Sequence, residues 1–305
     1  MWPVAVADGL WEASLRVRRL DEAVLTVLAI GLGAGDLPFG RPVTDSLTWR
    51  GARAPRDDPA AGPLAGEIRE HVLDSAALRG PRPVSVYLPP PLAAVTGALT
   101  GCVLADGQSA ASFARVLEPV IVSGAVPPVV LVGVHSAVNR AGQDPRAQEY
   151  LPRAKPRRFA AHLAFVTDEV IPWAVAEFGL PARPWTAAGY SNGAAWAIAA
   201  AQRRPDVFGA VAGLSAGVVP TRVAAAARGV RHYLAAGTLE PGFRRSTGAW
   251  AARLGRAGVP CAHREWVGGH DPFWWGRTLP EALAWLLDGD AAAAEAGQGG
   301  GGQAG

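Results

Sequence analysis

Short apolar segments alternate with longer helix-forming segments along residues 98–287, and no other feature constrains the fold as much. Alternation of this kind is typical of an α/β fold with a mostly parallel sheet. The pattern predicts strands at 98–105, 129–134, 185–188, 210–214, 230–235 and 262–266, and helices at 160–178, 194–203, 246–257 and 279–287. We therefore expect a twisted, mostly parallel sheet flanked by helices.

The region before this alternation has a different pattern. Residues 1–60 contain short apolar runs separated by charged turns, which predict a small β-rich appendage. A linker rich in Pro, Asp and Gly at 53–63 precedes a main domain that we place at 64–288. Two strand-like segments at 67–73 and 84–88 are expected to open this domain as an antiparallel pair.

Composition excludes several classes of protein. The chain is 50% hydrophobic and 18% charged, which is typical of a folded globular protein. The longest apolar run, at 23–32, is too short to span a bilayer, so no membrane span is expected. The N-terminus lacks the basic start and apolar core of a secretory signal, and we expect a cytoplasmic protein. Residues 289–305 are mainly Ala, Gly and Gln without apolar periodicity, which predicts a disordered tail.

Metal, disulfide and nucleic-acid functions have little support in the sequence. Cys102 and Cys261 are the two cysteines, too few for a disulfide framework or a multi-cysteine metal site. The histidines lack metal-ligand spacing, and we expect neither a metal nor an organic cofactor. The net charge is only +3, and the basic cluster at 146–158 lacks the interleaved aromatic residues of a nucleic-acid surface. We expect no nucleic-acid partner.

The segment Gly-Tyr-Ser-Asn-Gly at 189–193 matches the elbow that exposes a nucleophilic serine between a strand and a helix. A second match, Gly-Leu-Ser-Ala-Gly, occurs at 213–217. Ser191 follows a strand-like run and precedes a strong helix former, whereas Ser215 is followed by Val-Val-Pro. The context favours Ser191 as the nucleophile, and the alternative is a glycine-rich turn that merely connects strand and helix.

A nucleophilic serine needs a base and an acid, which follow it along the chain in α/β-hydrolase order. Glu240 comes directly after the apolar run 233–236, at the end of a predicted strand, although a solvated turn carboxylate is the alternative. His263 lies within a predicted strand, whereas His270 lies on a loop just beyond it. The sequence therefore predicts a Ser191, His270 and Glu240 triad.

Four motifs together resemble the putative-esterase family of α/β-hydrolases, which includes enterochelin esterases, S-formylglutathione hydrolases, feruloyl esterases and mycolyltransferases. They are Leu-Ala-Asp-Gly-Gln at 104–108, the elbow at 189–193, Ala-Gly-Thr-Leu-Glu at 236–240, and Gly-Gly-His-Asp at 268–271 followed by Trp275. The resemblance covers residues 66–287. It implies an α/β-hydrolase fold and a serine esterase, a carboxylic ester hydrolase that works through an acyl-enzyme.

The resemblance also implies roles for residues around the triad. The backbone N–H groups of Gln108 and Asn192 would form the oxyanion hole, and Arg146, Tyr190 and Trp275 would contact the substrate. The aromatic residues at 273–275 either line an aromatic pocket or pack the final helix. The appendage resembles the end of the immunoglobulin-like domain of enterochelin esterases, but it is shorter than such a domain.

The expected function is hydrolysis of a small-molecule ester by an enterochelin esterase-like enzyme. One alternative is an acyltransferase of the same fold, although such relatives act outside the membrane and the chain lacks an export signal. Another is a non-catalytic binding module, although all three triad residues are present. The sequence leaves open whether the substrate is a siderophore, an aromatic ester or a simple ester, and it leaves the oligomeric state open.

Overall fold

The computed structural model describes residues 4–7, 10–12, 16–30, 43–56, 63–91, 99–138 and 144–288. The disordered tail predicted at 289–305 lies outside these residues, and so does part of the appendage predicted at 1–60.

The described residues contain the following regular elements. The strands are β1 (Val4–Ala7), β2 (Leu10–Glu12), β3 (Val24–Ile30), β4 (Val43–Arg50), β5 (Glu67–Ser75), β6 (Gly80–Leu88), β7 (Thr100–Ala105), β8 (Val129–Val134), β9 (Trp185–Tyr190), β10 (Phe208–Leu214), β11 (Arg231–Gly237) and β12 (Cys261–Trp266). The α-helices are α1 (Ala110–Val122), α2 (Pro145–Tyr150), α3 (Pro156–Ala164), α4 (Ile171–Phe178), α5 (Asn192–Arg203), α6 (Pro241–Arg256) and α7 (Pro272–Leu287). A π-helical segment, Phe165–Val170, joins α3 to α4.

Eight strands form one sheet in the order β12-β11-β10-β9-β7-β8-β6-β5. The neighbours from β12 to β8 run parallel, and β6 and β5 complete the sheet in antiparallel pairing. The predicted α/β class with a mostly parallel sheet is therefore confirmed, as is the antiparallel pair at its start. In such sheets the functional site lies at the carboxyl ends of the parallel strands.

Helices cover both faces of this sheet because the side chains of a strand point alternately to its two sides. Along β7, Val103 packs in one core together with residues of α3, α5 and α6. Its neighbours Cys102 and Leu104 pack in the other core, against α1 and α7. The two buried cores fix the sheet rigidly, which holds the loops at its carboxyl edge in place.

Some helices differ in extent from the sequence prediction. Helix α1 was not predicted, although an α/β connection between β7 and β8 requires one. Helices α6 and α7 start at Pro241 and Pro272, several residues before the predicted starts at 246 and 279. Proline suits the first turn of a helix because a backbone N–H at that position would have no acceptor within the helix. Both helices begin with a proline for this reason.

The appendage forms separate two-stranded sheets in the part of the chain that the structure describes. Strands β3 and β4 pair as an antiparallel hairpin, and β1 pairs with β2. The hairpin is attached to the main domain through Val24, whose N–H donates to the carbonyl of Val267 at 3.2 Å. This places the hairpin beside the start of α7, which belongs to the main domain.

One helical stretch, Pro156–Phe178, is long and apolar enough by composition to cross a membrane, although none was expected from the sequence. The expectation that no segment spans a membrane rested on the length of uninterrupted apolar runs. This stretch is apolar in its mean hydropathy but is interrupted by Asp168 and Glu169. Half of the apolar window is buried inside the fold, and Phe159 and Phe165 pack in the core. We interpret the stretch as a core helix of the α/β domain.

Candidate active site

Ser191 occupies the sharp turn between the end of β9 at Tyr190 and the start of α5 at Asn192. Its backbone has φ 55° and ψ −124°, a conformation that a non-glycine residue rarely adopts. Gly189 and Gly193 lie on either side of the turn, where the backbones of the strand and the helix approach each other closely. A Cβ on Gly189 would lie 2.5 Å from the carbonyl carbon of Gly193, so a larger residue would not fit there. The local geometry is that of a nucleophile elbow.

Glu240 and His270 meet at the end of β11. Nδ1 of His270 lies 2.5 Å from Oε2 of Glu240, and the carboxylate side chain is only 3% exposed. Because a carboxylate only accepts hydrogen bonds, the proton of the imidazole lies on Nδ1 and Nε2 is free to accept one. The other carboxylate oxygen, Oε1, accepts from the N–H of Gly237. This arrangement suits a general base with a fixed tautomer.

The loop after β7 lies on the other side of the elbow. Asp106 begins it with φ 61°, and its N–H donates to the hydroxyl of Tyr150 at 2.9 Å. The side chain of Gln108 holds the next loop, since it donates to Ser136 Oγ at 3.1 Å and accepts from the Ser136 N–H at 3.3 Å. These contacts position the backbone of Gln108.

Asn192 is the first residue of α5, so its N–H has no acceptor within the helix. The N-terminus of a helix presents such groups, together with the positive end of its dipole, to a developing negative charge. The loop after β7 approaches this turn closely, because a Cβ on Gly193 would lie 3.1 Å from Oδ2 of Asp106.

The family model described as "Putative esterase" matches residues 75–298. The chain belongs to this family. The family resemblance predicted from the motifs is therefore confirmed. No curated protein matches the sequence significantly.

Several solved structures of esterases share the fold. The enterobactin esterase FES from Shigella flexneri aligns with a TM-score of 0.65 and 24% identity over 79% of this chain. The alignment covers 65% of that protein, so the chain spans just under two thirds of its length. A ferulic acid esterase from Anaeromyces mucronatus aligns with a TM-score of 0.60 and 12% identity, over 76% of this chain and 96% of its own. The predicted α/β-hydrolase fold is confirmed by these neighbours.

Ser215, the second serine in a Gly-x-Ser-x-Gly segment, has a different environment. It is fully buried after the end of β10, and no helix follows it directly. Its Oγ donates to Oε1 of Glu240 at 2.6 Å and accepts from Nε1 of Trp275 at 2.9 Å. Sequence reasoning missed this contact, because only the fold brings residues 215, 240 and 275 together.

Trp275 lies between the elbow and the imidazole. Its ring stacks on Tyr190 at 4.4 Å, with 17° between the planes, and meets His270 edge-on at 4.6 Å. The predicted contact residues Tyr190 and Trp275 therefore lie next to Ser191 and His270. The hydroxyl of Ser191 makes no hydrogen bond within the described part of the chain.

Arg146 was expected to contact the substrate, and the structure pairs it with Asp106. Its Nε and Nη2 lie 2.6 and 2.7 Å from the two carboxylate oxygens, a bidentate geometry. Burial acts to lower the pKa of Arg146, but the hydrogen bonds and charge of Asp106 more than offset it and raise the pKa above its usual range. Arg146 therefore holds the loop that carries Gln108. Its third guanidinium nitrogen, Nη1, takes no part in the ion pair with Asp106.

The other candidate residues occupy structural positions. His263 lies on β12, where its ring approaches α6 at Gly248, and burial lowers its pKa. Trp274 stacks on Trp266 at 6.0 Å and donates to the carbonyl of Val24 at 3.5 Å, so it packs the hairpin against the main domain. Among the described residues, no group of three or more His, Cys, Asp or Glu side chains could hold a metal ion.

Proposed function

We propose that the protein is a serine carboxylic ester hydrolase in which Ser191, His270 and Glu240 form the catalytic triad. The observation that carries this proposal is the hydrogen bond between Nδ1 of His270 and the buried carboxylate of Glu240, beside the elbow of Ser191. A buried acid fixes the tautomer of the imidazole and stabilises the imidazolium that forms during the reaction.

In the first half of the reaction, Nε2 of His270 accepts the hydroxyl proton of Ser191 while Oγ forms a bond to the ester carbonyl carbon. The electron pair of the carbonyl bond moves to its oxygen. The N–H groups of Asn192 and Gln108 stabilise this oxyanion. The intermediate then breaks its bond to the alcohol oxygen, which takes the proton from His270, and an acyl-enzyme remains.

In the second half of the reaction, a water molecule takes the place of the serine hydroxyl as the nucleophile. His270 accepts a proton from the water molecule as its oxygen attacks the acyl carbon, and the second intermediate expels Ser191, which recovers its proton. The products are a carboxylic acid and an alcohol. These steps use only side chains and backbone amides of this chain.

The substrate that we propose is a small-molecule ester, as for the enterobactin esterase that shares the fold. The enterochelin esterase-like assignment made from the sequence stays a proposal. Tyr190 and Trp275 line a cavity beside the proposed triad, which supports an ester with a flat apolar group, because such a group packs well against an aromatic wall.

Turnover of 4-nitrophenyl acetate by the purified protein tests this proposal. We expect a burst of 4-nitrophenol equal to the enzyme concentration, followed by slower steady turnover, because an acyl-enzyme forms first. Ser191→Ala should remove the burst and at least about a thousandfold of turnover, whereas Ser123→Ala, at an exposed position after α1, should behave like the wild type. A Ser191→Ala protein with an intact burst would disprove the assignment. Formation of a new ester with added alcohol, at the expense of acid, would instead identify an acyltransferase.

A further inference from the structure

A cavity of about 490 Å³ lies between the β3–β4 hairpin and the first turns of α1 and α7. Tyr190 and Trp275 form one of its walls. Tyr190 directly precedes Ser191, and Trp275 contacts His270 edge-on at 4.6 Å. The cavity and the proposed catalytic residues therefore share an aromatic wall.

This wall is held in one orientation. Tyr190 stacks on Trp275 at 4.4 Å and on Phe113 at 5.8 Å, and its hydroxyl hydrogen-bonds Ser109 at 2.9 Å. The indole of Trp275 is fixed by its hydrogen bond to Ser215. Aromatic rings fixed in this way line the cavity with a rigid apolar wall, which a ligand contacts at little cost in conformational entropy.

Another part of the cavity lining comes from the N-terminal appendage. Thr26 of β3 and Thr48 of β4 are register partners in the hairpin, and both line the cavity. Val24 and Arg50 are the next pair of partners that line it. The appendage is therefore not a separate module on the surface, since its hairpin completes a cavity of the main domain.

Arg50 is the only charged residue among the described residues that line the cavity. Its guanidinium lies 4.6 Å over the ring of Phe273, and Nη1 donates to the carbonyl of Pro55 at 3.0 Å. Within the described part of the chain it has no carboxylate partner, so its charge is not neutralised by an ion pair there. A guanidinium stacked on an aromatic ring keeps its remaining N–H groups in the plane of the guanidinium, away from the ring. A planar anion can accept hydrogen bonds from these N–H groups with good geometry.

We propose that this cavity is a substrate subsite for a flat apolar group that carries a negative charge, and that Arg50 of the N-terminal hairpin selects for the charge. The inference rests on the proposed function, because it assigns the cavity to the substrate of the same enzyme. The substituent would be a carboxylate or another planar oxyanion, held by charge-assisted hydrogen bonds to Arg50.

Equilibrium binding tests this inference without turnover. The probes are 2-naphthoate and 2-naphthamide, which have nearly the same shape and differ in charge, and the protein is the full chain with Ser191→Ala. We expect 2-naphthoate to bind about fivefold or more tightly than 2-naphthamide at low salt, and the preference to weaken as salt is added.

Variants locate the preference. In the Ser191→Ala background, Arg50→Gln should bring the two affinities within about twofold of each other, and Arg50→Lys should retain part of the preference. Arg256→Gln, which removes an exposed charge at the far end of α6, should keep it. Gly276→Leu should weaken binding of both probes about tenfold, because a Cβ at 276 would sit 3.8 Å from Val116 without a clash and its side chain would fill the cavity.

Each result decides one way. Failure of both probes to bind, equal affinities for them, a preference that survives Arg50→Gln, or unchanged binding in Gly276→Leu would overturn the inference. If the preference is found but 4-nitrophenyl acetate is not hydrolysed, the proposed function fails and the anion-selective cavity stands. If the ester is hydrolysed through Ser191 but the preference is absent, the proposed function stands and the subsite does not.

Discussion

The hydroxyl of Ser215 donates a 2.6 Å hydrogen bond to Oε1 of Glu240. The other oxygen of the same carboxylate binds the imidazole of His270, so Ser215 contacts the proposed base indirectly, through Glu240 and through the ring of Trp275. The second Gly-x-Ser-x-Gly segment of the chain therefore positions the carboxylate of Glu240, the proposed acid. Its serine is fully buried, which separates it from any substrate.

Ser215→Ala should lower kcat about tenfold and leave KM nearly unchanged, because Glu240 and Trp275 lose a fixed hydrogen-bond partner while the Gly237 N–H still holds the acid. Ester hydrolysis at a series of substrate concentrations measures this split. Ser246→Ala removes a hydroxyl bonded to the Gly217 carbonyl and serves as the matched control. Turnover equal to the wild type would show that Ser215 does not position the acid.

A fluorophosphonate probe should label Ser191 in both the wild type and Ser215→Ala. The elbow exposes its hydroxyl, whereas the hydroxyl of Ser215 is enclosed. Peptide mapping by mass spectrometry identifies the labelled residue. Label on Ser215 would exchange the roles that we assign to the two serines.

The sequence predicted those features that depend on local pattern and chain order. Strand, turn and helix signals placed the elbow at Ser191, and the order of acid before histidine directed attention to Glu240 and His270, which the fold brings within hydrogen-bond distance. Contacts between distant segments were beyond this reasoning. The pairing of Arg146 with Asp106 joins residues 40 positions apart, and no local pattern shows that this guanidinium is already engaged.

The appendage illustrates the same limit. Its apolar runs indicated strands, but strand signals alone do not show which surface a hairpin packs against. The structure places Val24 against Val267 and Trp274, next to the start of α7. Helix α1 was missed for a related reason, since its helical character depends on packing against the sheet through Phe113 and Leu117.

Glu240→Gln should retain the fold and lower kcat about a hundredfold or more, because the neutral amide neither fixes the tautomer of His270 nor stabilises its charged form. Asp271→Asn is the matched control. Asp271 caps helix α7 by accepting from the N–H of Phe273 at 2.8 Å, and asparagine also caps well. A larger loss in Asp271→Asn than in Glu240→Gln would mean that Asp271 is the acid.

His270→Ala should abolish both turnover and fluorophosphonate labelling, whereas His263→Ala should reduce only stability, since His263 packs between β12 and α6. An inactive His263 variant together with an active His270 variant would require the triad to be redrawn.

The last prediction concerns acid stability and the two fully buried histidines, His162 and His232. Burial lowers the pKa of each to about 4, from an ordinary value of 6.5. The unfolded chain therefore binds more protons than the folded protein between these values, and the free energy of unfolding falls as the pH drops from about 6.5 to 4. Well above pH 6.5 both rings are neutral in either state, and their contribution is constant.

Over that interval each histidine should remove about 3 kcal/mol from the free energy of unfolding, since one pKa unit corresponds to about 1.4 kcal/mol. Urea unfolding at several pH values between 5 and 6.5, above the usual range of carboxyl titration, measures the slope. The slope of the free energy of unfolding against pH reports the number of protons taken up on unfolding. His162→Leu and His232→Leu should each lower this number by about one, and the double variant should lower it by about two. A loss of stability from the changed side-chain shape would shift the whole curve without changing its slope. An unchanged slope in both single variants would show that these rings do not titrate between the folded and unfolded states as their burial requires.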